Sequence, residues 1–339
     1  MSRLKLGVVG LGRVANCHLH AIAQLPDLVE LHALVDVDQS RLGATAQKYP
    51  APKSYLSVDN ALKDESIDGF VVCLPHFLHH LIAKQIMESG RHVLMEKPLA
   101  LNFAETKDLV ERARKHGVVL MGAQSRRFYE AIFEALRRMP EIGRPLTVSY
   151  IWADRFSTDW SPPWWMSKEK TGGFVIPLCG AHAFDYVLWL MGEAPETIYA
   201  KTYTNPNLVW EGEDQLNCIL AFRDGSTASI LLSATADPEV HEVVHIGSKG
   251  SIKYAGGDEH TQEILGFTSI DLWVKGERAF SGRQPQSNFV LQMREFHDAI
   301  RGKQKAMATG TELLRLSAAL DAAARSAVTG LPEVPQTAV

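Results

Sequence analysis

The 339-residue sequence holds only four cysteines, Cys17, Cys73, Cys179 and Cys218, and no CxxC pair among them. A disulfide framework is excluded, and buried free thiols in a reducing cytoplasm are expected. An excess of one charge is also missing: 35 lysines and arginines face 39 aspartates and glutamates, a formal net charge of −4. The densest basic pairs, Arg126-Arg127 and Arg137-Arg138, read as solvated helix or loop positions, so no nucleic-acid surface is expected. No apolar run reaches the roughly 20 residues of a membrane span, and no membrane partner is expected. The first apolar stretch, residues 4–9, runs directly into Gly10 and reads as a strand rather than a signal peptide. Internal repeats and low-complexity linkers are absent. What remains is 46% hydrophobic and 22% charged, a globular composition, in a chain long enough for two domains.

Residues 4–9 are almost continuously apolar, as strands covered on both faces of a parallel sheet are. Gly10-Leu11-Gly12-Arg13-Val14-Ala15 follows. In such a turn Gly10 permits the tight bend, Gly12 lets backbone approach a pyrophosphate, and Ala15 allows helix to pack closely on strand. A helix over 14–25 then points its amino terminus at the phosphates. A second strand, 31–35, ends at Asp36, which can accept hydrogen bonds from the ribose hydroxyls and would repel a 2′-phosphate. Val37 brings no positive charge, so NAD is expected over NADP. Asp38 is the cap candidate for the helix near Ser40.

A third strand and its turn occupy 69–75, after which His76, His79 and His80 crowd the start of a helix. No carboxylate or thiolate stands near them at ligand spacing, so no metal is expected there. Leu74, Pro75, His76 and His79 instead fall where a bound dinucleotide would pass. A helix over 81–89, with Gly90 as its stop, leads to a strand at 92–95 and then Glu96-Lys97-Pro98. A lysine at the carboxyl end of a later strand of the same sheet sits at the reactive end of the dinucleotide. A helix over 103–116 and a strand over 118–121 complete a doubly wound parallel sheet, an α/β domain spanning 1–122.

Beyond Gly122 the alternation changes. A helix over 129–139 precedes strands at 146–153, 197–204, 215–222, 226–234, 240–247, 250–254 and 269–274, with Arg223-Asp224-Gly225 as a hairpin turn. This is the pattern of an α+β domain, 123–339, with a large, mostly antiparallel open sheet. An apolar outer face would make the chain a homodimer or homotetramer. Helices over 288–301 and 311–329 close the chain and are expected to pack back on it, Gly330 and Pro332 ending the second. Between the first of these strands and Gly172 lie Trp152 and Trp160-Ser161-Pro162-Pro163-Trp164-Trp165. Aromatic faces stack on the C–H faces of pyranoses, with Asp154, Arg155 and Lys168 near enough to read hydroxyls, or else they anchor a long loop. Trp165 and Arg155 are the substrate candidates.

The glycine turn, the strand into Glu96-Lys97-Pro98, Arg127-Phe128, Gly172-Gly173, Gly180-Ala181-His182 and the C-terminal helix pair resemble the Gfo/Idh/MocA oxidoreductases over essentially the whole chain. The resemblance implies a Rossmann domain and a C-terminal sheet that often builds dimers or tetramers. It also implies NAD(P)-dependent oxidation or reduction at a sugar or polyol carbinol. It makes Lys97 the catalytic lysine beside nicotinamide and substrate, with Glu96 and Pro98 shaping its loop, and His182 the acid/base histidine. One position departs: where the family commonly carries an aspartate four residues before that histidine, this chain has Leu178, preceded by Pro177. Asp185, one helical turn after His182, is the nearest carboxylate in sequence that could serve instead, or it makes a structural contact.

Oxidising a carbinol requires loss of the hydroxyl proton as hydride leaves carbon. A lysine of pKa about 10.4 is too protonated to be the base but can stabilise a developing alkoxide, whereas histidine titrates near neutrality. Lys97 is therefore the expected electrostatic stabiliser and relay, and His182 the proton acceptor. Two other readings remain: NAD-assisted, redox-neutral glycoside cleavage, and a non-catalytic NAD-binding regulator.

Overall fold

A computed structural model describes residues 2–159, 161–258 and 268–336; Trp160 lies outside them. The first sheet contains β1 Leu4–Val9, β2 Val29–Val35, β3 Lys53–Tyr55, β4 Gly69–Val72, β5 His92–Met95 and β6 Leu120–Gly122. Its spatial order is β3-β2-β1-β4-β5-β6, with every neighbouring pair parallel. The order reverses between β1 and β4, so the carboxyl ends of these two strands open a crevice where ligands of doubly wound sheets bind. The turn that opens at Gly10 and the segment Cys73–Pro75 stand at that edge.

The second sheet comprises β7 Pro145–Arg155, β8 Thr197–Tyr203, β9 Gln215–Ala221, β10 Thr227–Ser233, β11 Thr235–Gly247, β12 Gly250–Asp258, β13 Thr268–Val274 and β14 Glu277–Arg283. It runs β14-β13-β12-β11-β7-β10-β9-β8 and is antiparallel except where β7 meets β10. Burial alternates along β9 and β10, because one face packs inward and the other does not. On the outer face Tyr199, Ile219, Leu231, Val240 and Ile246 are exposed.

Helix His76–Glu88 begins five residues earlier than its apolar pattern indicates, after Pro75, which can occupy a cap without donating. β3 and β14 were not expected from the sequence; both lie at sheet edges, the first with polar exposed residues and the second with no clean alternation. Helix Asn288–Ile300 does pack back: Phe289, Val290, Met293 and Phe296 are buried with Leu6 and Val8 of β1, against helix Ala15–Ala23. Helix Thr311–Thr329 lies on β8 and on helix Phe103–His116. All four cysteines are buried free thiols.

One helical stretch, Lys168–Met191, is long and apolar enough to cross a membrane, contrary to the reading of the sequence. Its most apolar window is 89% buried within the protein, so its apolarity serves the core. This stretch also carries the second half of the site.

Candidate functional site

Gly10 adopts φ +80°, and a Cβ there would stand 2.5 Å from the Cys73 carbonyl oxygen, so only glycine lets the turn close against β4. A Cβ on Gly12, by contrast, would meet no atom within 4 Å. That open space lies at the amino end of helix Ala15–Ala23, which has no side-chain cap and no acidic residue in its first turn. The positive end of a helix without a side-chain cap and room above a glycine fit a pyrophosphate. Leu11 is buried behind the turn, Arg13 is exposed and Val14 half-buried.

Asp36 accepts from Leu11 N–H at 2.8 Å and Asp38 N–H at 2.9 Å. Asp38 caps the next helix through Ser40 and Arg41 N–H groups, as its position suggested. Arg41 then reaches back to Asp36 at 3.3 Å. Looking for positive charge only at Val37 overlooks this arginine, which the helix brings round by one turn.

Glu96 is buried and joins the two halves of the cofactor edge. One oxygen meets His18 Nε2 of the first helix at 2.8 Å, and the other accepts Lys97 N–H at 3.1 Å. Burial opposes its charge, but the His18 hydrogen bond and the nearby Lys97 ammonium outweigh that and lower its pKa. His18 had no signal in the sequence beyond lying one turn into the helix. His76 is buried, with Nδ1 at 3.1 Å from the Thr171 carbonyl and its ring edge-on to Trp164. His79 differs from the expectation of a cofactor contact. Its two ring nitrogens each lie 2.8 Å from a carbonyl, of Pro98 and of Leu74, so it braces the lysine loop against the end of β4. His80 forms a half-exposed pair with Asp108 at 2.8 Å.

Opposite this edge, Gly172-Gly173 bends the chain within the Lys168–Met191 stretch. Glu213 is buried there, and its Oε1 accepts from both Phe174 and Ile176 N–H at 3.0 Å. A Cβ at Gly173 would stand 2.9 Å from that oxygen. The stretch continues as a π turn, Ile176–Gly180, and then helix Ala181–Met191. Lys97 donates from Nζ to the Leu178 main-chain carbonyl at 2.7 Å. At the position where a side-chain carboxylate was missing, the backbone provides the oxygen.

His182 follows in the next turn, buried, with Nδ1 unpartnered among the described residues. Burial, then the charges of Lys97 and Arg126, push its pKa well below the ordinary value. It is a neutral imidazole near pH 7, able to accept a proton. Arg126 itself stacks over the Trp152 ring at 3.6 Å and donates to Tyr150 Oη at 2.9 Å. The Trp152 ring centroid is 6.0 Å from that of His182.

Three substrate candidates are placed otherwise than expected. Asp185 is not offered to the cleft: Arg127 binds both of its oxygens, at 2.7 and 2.8 Å, and also meets Glu312 at 3.0 Å. Buried between two carboxylates, Arg127 keeps its charge, with its pKa raised. Arg155 points outward in a pair with Asp237 at 2.9 Å, both side chains about 70% exposed. Trp165 packs on Phe156 and Trp164 as a loop anchor, leaving Trp164 as the ring that meets His76. Glu213 and Arg126 were missed; only Arg126, in a basic pair after β6, had a visible signal.

Residues 4–124 match the model of an oxidoreductase family with an NAD-binding Rossmann fold, and residues 134–253 match the GFO/IDH/MocA C-terminal domain. The chain is 27% identical to the uncharacterized oxidoreductase YrbE of Bacillus subtilis over 96% of this chain and 95% of that protein. It is 28% identical to myo-inositol 2-dehydrogenase of Thermotoga maritima over 77% of this chain and 78% of that one. Among solved structures it superposes, with a TM-score of 0.83 and 24% identity over the full length of both chains, on the WlbA dehydrogenase of Bordetella pertussis, crystallised with NADH and UDP-GlcNAcA.

Proposed function

The chain belongs to the Gfo/Idh/MocA oxidoreductases, and from that premise we propose that it transfers a hydride between NAD and a carbinol carbon of a cyclic sugar, polyol or sugar derivative. The observation that carries the reading is the Lys97–Leu178 contact, which ties the end of the cofactor sheet to the segment bearing His182. NAD would lie along Gly10–Val14, with its adenosine ribose toward Asp36 and its nicotinamide toward Glu96-Lys97, and supplies the hydride acceptor when bound. Lys97 presents an ammonium to the substrate oxygen and lowers the energy of the charge that develops there. His182, neutral because buried beside two cations, takes the hydroxyl proton. Glu96, held by His18, fixes the main chain from which Lys97 projects. Relatives acting on myo-inositol and scyllo-inositol support a polyhydroxylated ring as substrate.

The exposed row Tyr199, Ile219, Leu231, Val240 and Ile246 would be covered by a second copy of the sheet, giving a homodimer or homotetramer. A panel of cyclic polyols, aldoses and glycosides with NAD, read at the reduced nicotinamide absorbance, tests the activity. Lys97→Ala should retain NAD binding and lose roughly 10²- to 10⁴-fold in turnover; unchanged turnover would remove the lysine from the mechanism.

A further inference from the structure

Tyr150, Trp152 and Asp154 alternate along β7 and share one face. His241 of β11 is in register with Trp152, so its side chain stands on that face too. The register between β7 and β11 shifts between Thr235 and Val240, and such a bulge re-aims side chains at a strand end. The outcome is a convergent group: one polar atom each of Asp154, Glu239 and His241 lies within 4.8 Å of the others. His241 Nε2 is 3.8 Å from Asp154 Oδ2, in ion-pair rather than hydrogen-bond range, Asp154 Oδ1 accepts Arg155 N–H at 2.7 Å, and Asp154 is buried.

Trp152 links this group to the reacting residues. Its ring centroid lies 6.0 Å from His182 on one side and 5.9 Å from His241 on the other, with Arg126 stacked above it. Trp152 Nε1 and His182 Nδ1 are both buried and have no partner among the described residues. Arg126, Tyr150, Trp152, His241 and Tyr254 line one cleft. Asp154 lies outside that lining, two residues on from Trp152 along the same strand face; an aromatic ring and a carboxylate so placed suit a polyhydroxylated ring, the face covering C–H groups and the carboxylate accepting from hydroxyls.

We propose that Asp154, with His241 beside it, is the substrate-anchoring carboxylate of this enzyme, holding a hydroxyl neighbouring the reacting carbinol and filling the part that Leu178 cannot. This deepens the sugar or polyol reading above and rests on it. Lys97 and His182 take the reacting hydroxyl, while Asp154 fixes the ring at a second point. A ring held at two points presents one carbinol to the reacting pair, so Asp154 also selects the carbon.

The test pairs Asp154→Asn with deoxy analogues of whichever ring the panel identifies. With the full substrate, Asp154→Asn should lose about 10- to 100-fold in kcat/KM, mostly in KM, the range for a hydrogen bond to a charged group. Wild type should lose the same with the one deoxy analogue lacking the anchored hydroxyl, and on that analogue the variant should lose nothing more. His241→Asn should raise KM by a smaller factor with kcat retained, while NAD titration gives wild-type affinity for both variants. Unchanged kcat/KM in Asp154→Asn, or equal losses with every deoxy analogue, overturns the anchoring role. A wild type that oxidises no ring alcohol overturns the proposed function itself, and the anchor with it.

Discussion

On the cofactor side of the cleft the proposed groups are mostly main chain: the bend at Gly10, the space above Gly12, and the positive amino end of helix Ala15–Ala23. On the facing side the proposed groups are side chains delivered from distant segments, Arg126, Trp152, Asp154 and His182. A backbone surface recognises what every dinucleotide shares, its pyrophosphate. A surface of side chains can be rebuilt one residue at a time for a different ring without disturbing the sheet beneath. The difference explains how one architecture keeps its cofactor while its substrates diverge.

Three experiments would break or sharpen that contrast. The largest effect should come from Asp185→Ala, which leaves the buried Arg127 short of its bidentate partner and should cost about 3–5 kcal/mol in denaturant unfolding. In whatever protein still folds, KM for the ring substrate should stay at its wild-type value. A raised KM with stability intact would instead move Asp185 into the substrate side.

Acid should act next. His245 is buried against Tyr186 and its pKa is pushed down to about 4, while burial holds His76 and His182 well below their ordinary value. These rings are neutral in the fold but titrate near 6.5 when unfolded, so the unfolded chain binds more protons below that pH. Their contribution is complete above about pH 6.5 and declines as pH falls toward 4, His245 alone accounting for about 3 kcal/mol. Urea midpoints measured from pH 7.5 to 4.5 should fall accordingly, and a flat profile would contradict it. The smallest effect is local to the cofactor side. Gly12→Val adds atoms where no protein atom is within reach, so Tm should hold while Kd for NAD rises about tenfold or more. A lost Tm with unaltered Kd would mean the space serves packing rather than phosphate.

Much of the cofactor side could be read from local order alone. Strand, glycine turn, helix and a strand ending in Asp36 are contiguous, and β1 and helix Phe103–His116 occupy the spans their apolar periodicity indicates. Arg41 escaped because its relevance comes from a helical turn rather than a neighbouring position. The substrate side was much less legible. Asp185 is near His182 in sequence, but its partner Arg127 comes from before the second sheet. Asp154 and His241 meet only through strand register, and neighbouring residues give no sign of it. Arg155 looks like the better hydroxyl reader in sequence, yet strand alternation sends it to solvent and turns Asp154 inward.

The hydrogen bond from Lys97 to the Leu178 carbonyl has a consequence for drift and engineering. A carbonyl oxygen belongs to every residue type, so the lysine's tether does not depend on which side chain stands at 178. The Leu178 side chain itself is buried in the apolar core of the second domain, so substitutions there act on packing while the tether survives. Position 178 therefore accepts apolar side chains that fill the same space, and the ammonium stays in place through such drift.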